Sequence, residues 1–336
     1  MILLDHASVI ELLPMAECIE LMAGVLAALA RGDATLPLRT VLRVPERDAA
    51  IAMMPALLRG NADADAGVIG IKAITVYPGN RGTAYESHQG AVLLFEAEQG
   101  RLLAIADAST VTAVRTAAVS GVATRLLARA DAGDLALLGA GVQAATHLEA
   151  MRLVRPLRRV RAWSRSPEKT RSFAERMTAR FGVEVEPMAT AREAVAGADI
   201  ICTVTSAREP VLMGDWLADG AHVNAVGSST PAARELDSAA VVRARLYVDR
   251  RESTLAESGD FLVPLREGLV TEAHIVAELG DVLVGRAPGR GSPDEVTLFK
   301  SLGLAVEDAA AARHLHARAL ATGKGLHVHL GGAREE

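Results

Sequence analysis

Short apolar runs alternate with stretches of helical periodicity from residue 134 onward. Helical patterns lie at 142–153, at 167–180 and in the segment TAREAVAG, and the apolar runs are DLALLG, RVRAW, VEVE, DIICTVT, AHVNAVG and RLYVD. Strands that alternate with helices form βαβ units, whose parallel sheet carries helices on both faces. This part of the chain is therefore predicted to be a doubly wound α/β domain.

The chain before residue 110 has a different pattern. The stretches TVLRVPERDAAIAMMP, GVIGIKAITVYPG and GAVLLFEAEQGRLLAIAD resemble antiparallel strands joined by glycine-containing turns. A threonine-rich helix, STVTAVRTAAVSGVATRLLARA, leads from them to the first strand of the α/β part. The pattern predicts a separate α+β domain ahead of the α/β domain.

Composition narrows the class of protein. A chain of 336 residues can form two domains, and its net charge of −5 argues against a nucleic-acid partner. Cys18 and Cys202 lack metal-ligand spacing and suit a reducing cytoplasm. The apolar stretch ELLPMAECIELMAGVLAALARG is interrupted by Glu17 and Glu20, so it is predicted to be a buried amphipathic helix. We expect a cytoplasmic protein without a membrane segment.

A glycine-rich turn lies between the first α/β strand and the helix that follows it. Gly139, Gly141 and Ala144 fit the pattern G-x-G-x-x-G/A. Gly139 permits a tight turn, Gly141 lets the backbone approach a pyrophosphate, and Ala144 keeps the helix close to its strand. The spacing predicts a dinucleotide site, and a plain structural turn is the alternative.

The end of the second α/β strand bears on the choice of nucleotide. NAD-binding proteins usually place an acid there, whereas this chain has Ser164, Arg165 and Ser166. Hydroxyls and a guanidinium bind a 2′-phosphate that a carboxylate would repel. We therefore expect NADP(H) in preference to NAD(H). An arginine in a solvated loop would explain the same residues.

Three cations are candidates for binding an anion. Only four of the 36 basic residues are lysines, so Lys72 within the apolar run GVIGIKAITV is unusual. Its burial requires a carboxylate or a ligand, unless it lies on an edge strand and reaches solvent. Arg115 has Ala, Val and Thr neighbours on its helix, so it either faces an interdomain cleft or forms a distant ion pair. Arg39 is equally well explained as an exposed strand arginine.

The sequence resembles the ornithine cyclodeaminase/mu-crystallin family along nearly its whole length. The stretches that carry the resemblance are PLRTVLRVP, MMPA, GIKAITVYPGN, TVTAVRTAA, LLGAGVQAATHLEAM, DIICTVTSA, NAVGSSTPAARELD and LFKSLGLAVED. The resemblance implies a Rossmann domain at 115–304, and a substrate-binding and dimerisation domain formed by 1–114 and 305–336. It also implies a homodimer joined through the substrate domains.

The resemblance also assigns site residues. It places a substrate carboxylate clamp on Arg39, Lys72 and Arg115, and two cations with a forked guanidinium suit a planar anion. It implies cofactor contacts from Ser87, Val142, Gln143, Ser164, Arg165, Thr205, Val226, Gly227 and Ser301. Lys300 and Leu302 are expected near the nicotinamide, and Ser228, Ser229 and Lys300 are expected to contact the substrate.

One departure from the family pattern bears on the reaction. Ornithine cyclodeaminases carry a catalytic Asp in the stretch NAVG-x-D-x-P, and Ser229 stands at that position here. A serine cannot supply that carboxylate, so cyclising deamination is not expected. Members similar to this chain at that loop are imine reductases. The predicted reaction is NADPH-dependent reduction of Δ1-pyrroline-2-carboxylate or Δ1-piperideine-2-carboxylate to proline or pipecolate, and Lys72 is a candidate for tuning protonation of the imine nitrogen.

Two alternatives remain open. Reductive amination of a 2-oxo acid, as in alanine and opine-type dehydrogenases, would use the same clamp and an added acid–base group such as His88. A nucleotide-dependent binding protein without turnover is the other alternative. The stretch HLHARALATGKGLHVHL contains four histidines but no carboxylate that completes a ligand set, so it is interpreted as surface or tail and not as a metal site.

Overall fold

The structure is a computed structural model that describes residues 1–60, 67–80 and 82–330. The chain divides into two compact units, Met1–Arg115 with Leu304–Glu336, and Thr116–Gly303. Each boundary lies one residue from the one expected from the family resemblance. Residues 331–336 of the expected substrate domain lie outside the described residues. The predicted fold class, a doubly wound α/β domain together with an α+β domain, is confirmed.

The strands in chain order are β1 (Ile2–Leu4), β2 (Ala34–Thr35), β3 (Thr40–Val44), β4 (Ala49–Arg59), β5 (Gly67–Val76), β6 (His88–Glu96), β7 (Leu102–Asp107), β8 (Asp134–Leu138), β9 (Arg159–Trp163), β10 (Val185–Pro187), β11 (Ile200–Thr203), β12 (His222–Ala225), β13 (Arg245–Val248), β14 (Ile275–Glu278), β15 (Thr297–Lys300) and β16 (Leu326–His327).

The α-helices are α1 (His6–Leu12), α2 (Met15–Arg31), α3 (Ala108–Leu127), α4 (Val142–Val154), α5 (Pro167–Phe181), α6 (Ala191–Val195), α7 (Ser238–Arg243), α8 (Arg251–Glu257), α9 (Gly259–Arg266), α10 (Leu279–Leu283) and α11 (Ala305–Thr322). Short 3₁₀ helices lie at Pro45–Arg47, Pro78–Asn80, Gly214–Trp216 and Glu272–His274.

The first unit is built on one mixed sheet with the strand order β16-β1-β7-β6-β5-β4-β2, in which β3 also pairs with β4. Strands β4 to β7 run antiparallel, as the sequence pattern predicts. Alternate residues of these strands are buried where α11 packs on the sheet. A Cβ atom at Gly70 would overlap the Ala309 side chain, so the glycine permits the close approach of α11.

The second unit contains a parallel sheet with the strand order β10-β9-β8-β11-β12-β15-β13-β14. The six apolar runs found in the sequence form β8 to β13. Strands β14 and β15 were not predicted from the sequence. Burial of the whole of β15 between β12 and β13 is a consequence of tertiary pairing.

The N-terminal apolar stretch forms two helices. Among the described residues, no single helix is long and apolar enough to cross a membrane. The helices α1 and α2 are bent by 79° at the break between them. Taken together, they are long and apolar enough for a membrane span by length and composition only. Cys18, Ile19 and Met22 of α2 are buried, in agreement with the amphipathic helix that was predicted.

Candidate active site

The glycine-rich turn of the second unit connects β8 to α4. Gly139 has φ +134°, and a Cβ atom there would lie 2.8 Å from the carbonyl oxygen of Val204. Gly141 is the N-cap of α4, and a Cβ atom built on it would meet no heavy atom within 4 Å. Val142 is 66 % exposed although it is apolar. The open, positive end of a 13-residue helix therefore fits a dinucleotide pyrophosphate.

A buried histidine supports the start of α4, and sequence reasoning missed it. The Nδ1 atom of His147 donates to the carbonyl oxygen of Gln143 at 2.7 Å, so its Nε2 atom accepts from the hydroxyl of Ser120 at 2.9 Å. Burial lowers the pKa of His147 to about 4, which keeps the ring neutral. The ring thereby links the first turns of α4 to α3 without adding charge.

The residues after β9 shape the N-terminus of α5. The Ser164 hydroxyl donates to the carbonyl oxygen of Ser166 at 3.1 Å and shares a hydrogen bond with Thr170 Oγ1 at 2.8 Å. Ser166 is the N-cap and accepts from the backbone N–H of Lys169 at 3.3 Å. Arg165 is exposed. Both serine hydroxyls thus form hydrogen bonds within the turn. Arg165 is the exposed cation of the predicted site for a 2′-phosphate.

A buried carboxylate, Glu235, lies beneath the ends of β11 and β12. Its Oε1 atom accepts from the N–H and hydroxyl of Thr205 at 2.7 and 2.6 Å. Its Oε2 atom accepts from the hydroxyl of Thr203 at 2.8 Å and from the N–H of Gly227 at 2.6 Å. Burial, together with the charge of Asp260, raises the pKa of Glu235. Nothing in the stretch ARELD signals this role, because its partners are distant in sequence.

Lys300 belongs to the same buried network. Its ammonium lies 2.9 Å from Asp260 Oδ2 and donates to the carbonyl oxygen of Ser228 at 2.6 Å. Asp260 Oδ1 in turn accepts from the backbone N–H of Glu235 at 2.7 Å. The Lys300 side chain is 1 % exposed. The resemblance implies that Lys300 contacts the substrate, and in the structure its ammonium lies in this ion pair and beside the carbonyl oxygen of Ser228.

The neighbouring loops are held by backbone hydrogen bonds. The Ser228 hydroxyl donates to the carbonyl oxygen of Ala233, whereas Ser229 is exposed. Asp249 Oδ2 accepts from the backbone N–H groups of Leu302 and Gly303 at 2.5 and 2.7 Å. Of the predicted substrate contacts in the loop after β12, the structure places Ser229 at the surface and engages the Ser228 hydroxyl within the loop.

Two further backbone hydrogen bonds fix predicted cofactor contacts at the strand ends. Ser301 is buried, and its N–H donates to the carbonyl oxygen of Ala225 at 3.0 Å. The N–H of Val226 donates to the carbonyl oxygen of Thr203 at 3.0 Å. The ends of β11, β12 and β15 are therefore tied together at one edge of the parallel sheet.

Lys72 and Arg115 meet at one carboxylate in the first unit. Lys72 Nζ lies 2.8 Å from Asp308 Oδ2, and Arg115 Nε lies 3.0 Å from Asp308 Oδ1. Arg115 Nη1 also lies 2.9 Å from Glu307 Oε2. The edge-strand interpretation of Lys72 is wrong, because β5 lies between β4 and β6 and the lysine is 2 % exposed. For Arg115 the structure shows a distant ion pair, which was one of the two interpretations.

The electrostatics of this cluster favour a charged pair. Burial lowers the pKa of Lys72 to about 8 against the opposing charge of Asp308, and the charge of Arg39 contributes to the lowering. Burial alone would raise the pKa of Asp308, but Lys72 and Arg115 outweigh it and the pKa lies below its usual value. Two cations, Lys72 and Arg115, and two carboxylates, Asp308 and Glu307, therefore form one buried cluster.

The two acids of this cluster lie in LFKSLGLAVED, a stretch that carries the family resemblance, but the sequence did not predict a role for them. Glu307 and Asp308 are adjacent and lie in the otherwise apolar stretch LGLAVEDAAAA. Two acids within a buried helix turn are a signal for buried cations, since an unpaired buried carboxylate is strongly unfavourable. The sequence could have predicted the need for partners, although it could not identify them.

Comparison with known proteins supports the resemblance found in the sequence. The model of the ornithine cyclodeaminase/mu-crystallin family matches residues 1–323. The chain belongs to this family. It is 44 % identical over 282 residues to ketimine reductase mu-crystallin of Mus musculus, and the aligned residues make up 84 % of each chain.

Two solved structures are similar along nearly the whole chain. The Δ1-pyrroline-2-carboxylate reductase of Thermococcus litoralis, in complex with NADH and L-proline, has a TM-score of 0.94 and 39 % identity. It covers 98 % of this chain and 100 % of its own. An archaeal alanine dehydrogenase dimer with bound NAD has a TM-score of 0.91 and 29 % identity, and covers 98 % of this chain and 99 % of its own.

The remaining predicted residues lie on the surface of the first unit. Ser87 Oγ and His88 Nδ1 are 3.0 Å apart, and His88 is exposed.

The C-terminal histidine stretch is only partly a tail, because His314 and His316 belong to α11 and are half-buried. The described residues hold no group of three or more His, Cys, Asp or Glu side chains arranged to bind a metal ion.

Proposed function

We propose that this family member reduces a cyclic ketimine that carries an α-carboxylate, with NADPH as the reductant. Δ1-Pyrroline-2-carboxylate and Δ1-piperideine-2-carboxylate are the proposed substrates, and proline and pipecolate the products. The observation that carries the proposal is the convergence of Lys72 and Arg115 on one buried carboxylate, that of Asp308. The names of a mouse relative and of a similar archaeal structure support the same chemistry.

The carboxylate of the substrate would be bound by Arg39, Lys72 and Arg115. Asp308 and Glu307 keep two of these cations in place, so their donors are preorganised. Arg39 is half-buried and supplies the third charge.

The glycine turn and the strand ends of the second unit would bind the nucleotide. Gly139, Gly141, Val142 and Gln143 would contact the pyrophosphate, and Thr205, Val226, Gly227 and Ser301 the nicotinamide half. Ser87 of the first unit is a further proposed contact. Bound NADPH supplies a hydride for the imine carbon. The imine nitrogen takes up one proton, and the Lys72 ammonium is the proposed group for tuning that protonation.

The absence of the cyclodeaminase carboxylate favours reduction over deamination. Ser229 occupies its position and is exposed. A protonated cyclic imine is already electrophilic and needs little acid–base assistance. Glu235 and Asp260 do not substitute for the missing Asp, because both are buried and accept hydrogen bonds from backbone N–H groups.

The preference for NADPH rests on the turn after β9. Arg165 is exposed beside the N-terminus of α5, and the segment 164–166 contains no acid. A guanidinium next to the positive end of a helix suits a 2′-phosphate. The similar solved structures contain NADH or NAD, so the choice between the two nucleotides is a specific point for experiment.

We also propose a homodimer formed through the second face of the sheet in the first unit. Ile69, Ile71, Leu93, Phe95 and Ile105 alternate with buried residues and are themselves only half-buried. Ile69 pairs with Phe95, and Leu93 pairs with both Ile71 and Ile105, so the five form one apolar surface. The archaeal relative described as a dimer supports this assembly.

A cytoplasmic location is proposed from the cysteines. Both thiols, Cys18 and Cys202, are free and buried. Burial raises the pKa of each to about 12, which keeps them as inert thiols. This suits a reducing compartment.

One substrate panel tests the proposed function. Purified protein is mixed with NADPH or NADH, and loss of the reduced nucleotide is followed with each cyclic imine, and with pyruvate in the presence and absence of ammonium. Oxidation of NADPH by a cyclic imine without ammonium is the expected result. A strict requirement for ammonium and a 2-oxo acid would favour the dehydrogenase alternative. Nucleotide binding with no turnover on any substrate would favour the binding-protein alternative.

A further inference from the structure

Four hydrogen bonds from two strand ends converge on the carboxylate of Glu235. Thr203 is the last residue of β11, and Thr205 and Gly227 lie two residues beyond the ends of β11 and β12. Each carboxylate oxygen accepts two of these bonds, at distances between 2.6 and 2.8 Å. A Cβ atom at Gly227 would lie 2.5 Å from Glu235 Oε1, so the backbone closes directly on the carboxylate.

The backbone of Glu235 is fixed as firmly as its side chain. Asp260 Oδ1 accepts from the N–H groups of Glu235 and Leu236 at 2.7 and 3.0 Å. Asp260 Oδ2 lies 2.9 Å from the ammonium of Lys300, which donates to the carbonyl oxygen of Ser228. The network therefore joins β15 to the two segments that Glu235 already connects.

The buried charges of this network are not explained by a contribution to the stability of the fold. Two carboxylates and one ammonium are each at most 2 % exposed, and desolvation of such groups often exceeds their mutual attraction. Apolar residues of similar size could fill the same space, but they could not hold four donors in one geometry. A functional requirement for the positions of Thr205 and Gly227 would explain why these charges are buried here.

We propose that Glu235 is a positioning residue for the nucleotide. It holds the Thr205 and Gly227 segments in the conformation that binds the nicotinamide half, and Asp260 and Lys300 hold Glu235. This inference rests on the proposed function for the location of the nucleotide. It assigns no contact between Glu235 and the reacting atoms, because the carboxylate is fully buried.

The sharpest test changes Thr203, which is buried and is not among the proposed cofactor contacts. Thr203→Val keeps the shape of the side chain and removes one hydroxyl from Glu235, whereas Thr203→Ser keeps the hydroxyl and removes a methyl group. Titration of NADPH fluorescence measures the dissociation constant without any imine. We expect Thr203→Val to raise it about tenfold and Thr203→Ser to leave it within about twofold of the wild type.

A second variant extends the test to the carboxylate itself. Glu235→Gln presents an amide N–H₂ to donors that need an acceptor, and we expect the NADPH dissociation constant to rise about a hundredfold. In steady-state kinetics both Thr203→Val and Glu235→Gln should raise KM for NADPH while KM for the cyclic imine stays within about twofold. Thermal unfolding of each variant shows whether it is folded.

The outcomes separate this inference from the proposed function. Wild-type affinity for NADPH in folded Thr203→Val, equal weakening in Thr203→Val and Thr203→Ser, or a parallel rise of both KM values would each overturn the positioning role. If NADPH affinity follows the hydroxyl but no imine is reduced, the positioning role stands and the proposed substrate is wrong. If the wild type fails to bind NADPH, the proposed function and the positioning role both fail.

Discussion

Lys72 and Asp308 form an ion pair with 2.8 Å between Nζ and Oδ2, and neither side chain is more than 3 % exposed. The lysine lies in the middle of an antiparallel strand and the acid in the first turn of α11. The second oxygen of Asp308 accepts from Arg115, so one carboxylate fixes two cations. The charge state of Lys72 is consequently set by burial and by this acid together.

The pH dependence of the wild type should report the ammonium of Lys72. Burial lowers its pKa from 10.5 to about 8, so the cation is present below that pH and is lost as the pH rises through it. We expect kcat/KM for the cyclic imine to fall above pH ~8, since a neutral amine binds a carboxylate poorly. The measurement is a pH profile at saturating NADPH. Lys72→Arg should move the fall to higher pH, and an unchanged profile would exclude Lys72 as its cause.

Removal of the acid partner should shift the same profile in the opposite direction. Asp308→Asn takes away the charge that opposes the effect of burial on Lys72, so the pKa of the lysine should drop further and the fall of kcat/KM should begin at lower pH. We expect KM for the imine to rise about tenfold or more, with NADPH affinity unchanged. Glu307→Gln is the matched control, because Glu307 pairs with Arg115, and it should leave the midpoint of the profile nearer to that of the wild type.

The glycine turn should tolerate no side chain at its first position. Gly139→Ala forces an alanine to φ +134° and towards the Val204 carbonyl oxygen, which should cost about 1–3 kcal/mol and weaken NADPH binding. Gly182→Ala is the control, since it also places alanine at positive φ but in open space at the end of α5. Thermal unfolding and NADPH titration compare the two. Equal effects on nucleotide affinity would contradict a pyrophosphate site at the turn.

The choice of nucleotide should depend on Arg165. Arg165→Gln should raise KM for NADPH about tenfold and leave KM for NADH within about twofold, because only NADPH carries the 2′-phosphate. Arg176→Gln, a change further along the same helix, should alter neither constant. The four constants are obtained from initial rates with a cyclic imine. Equal losses with both nucleotides in Arg165→Gln would remove the basis for the NADPH preference.

Assembly should depend on the apolar face of the first sheet. Leu93→Glu places a charge between Ile71 and Ile105, and we expect it to convert a dimer to a monomer. Leu153→Glu, at a surface position that is 47 % exposed in the second unit, is the matched control. Light scattering coupled to size exclusion gives the molar mass of each. A Leu93→Glu dimer would show that this face is not the interface.

The order of most strands and helices, the nature of the two domains and the family could all be predicted from the amino-acid sequence. Strand and helix periods are local properties, so β4 to β13 were visible in the pattern of apolar residues. The glycine turn could also be recognised in the sequence, because Gly139 and Gly141 lie two residues apart and their role depends on the local backbone. Lys72 and Arg115 could be singled out as buried cations, since an apolar context makes a charge unusual.

The partners of those buried charges could be identified only from the folded chain. Arg115 and Asp308 are 193 residues apart in the chain, and Lys300 meets Asp260 through a network that no local pattern records. The same limit explains why Glu235 was missed. A buried charge requires a partner, and the sequence shows that requirement; which partner fulfils it depends on how strands and helices pack, because that packing brings distant residues within hydrogen-bonding distance.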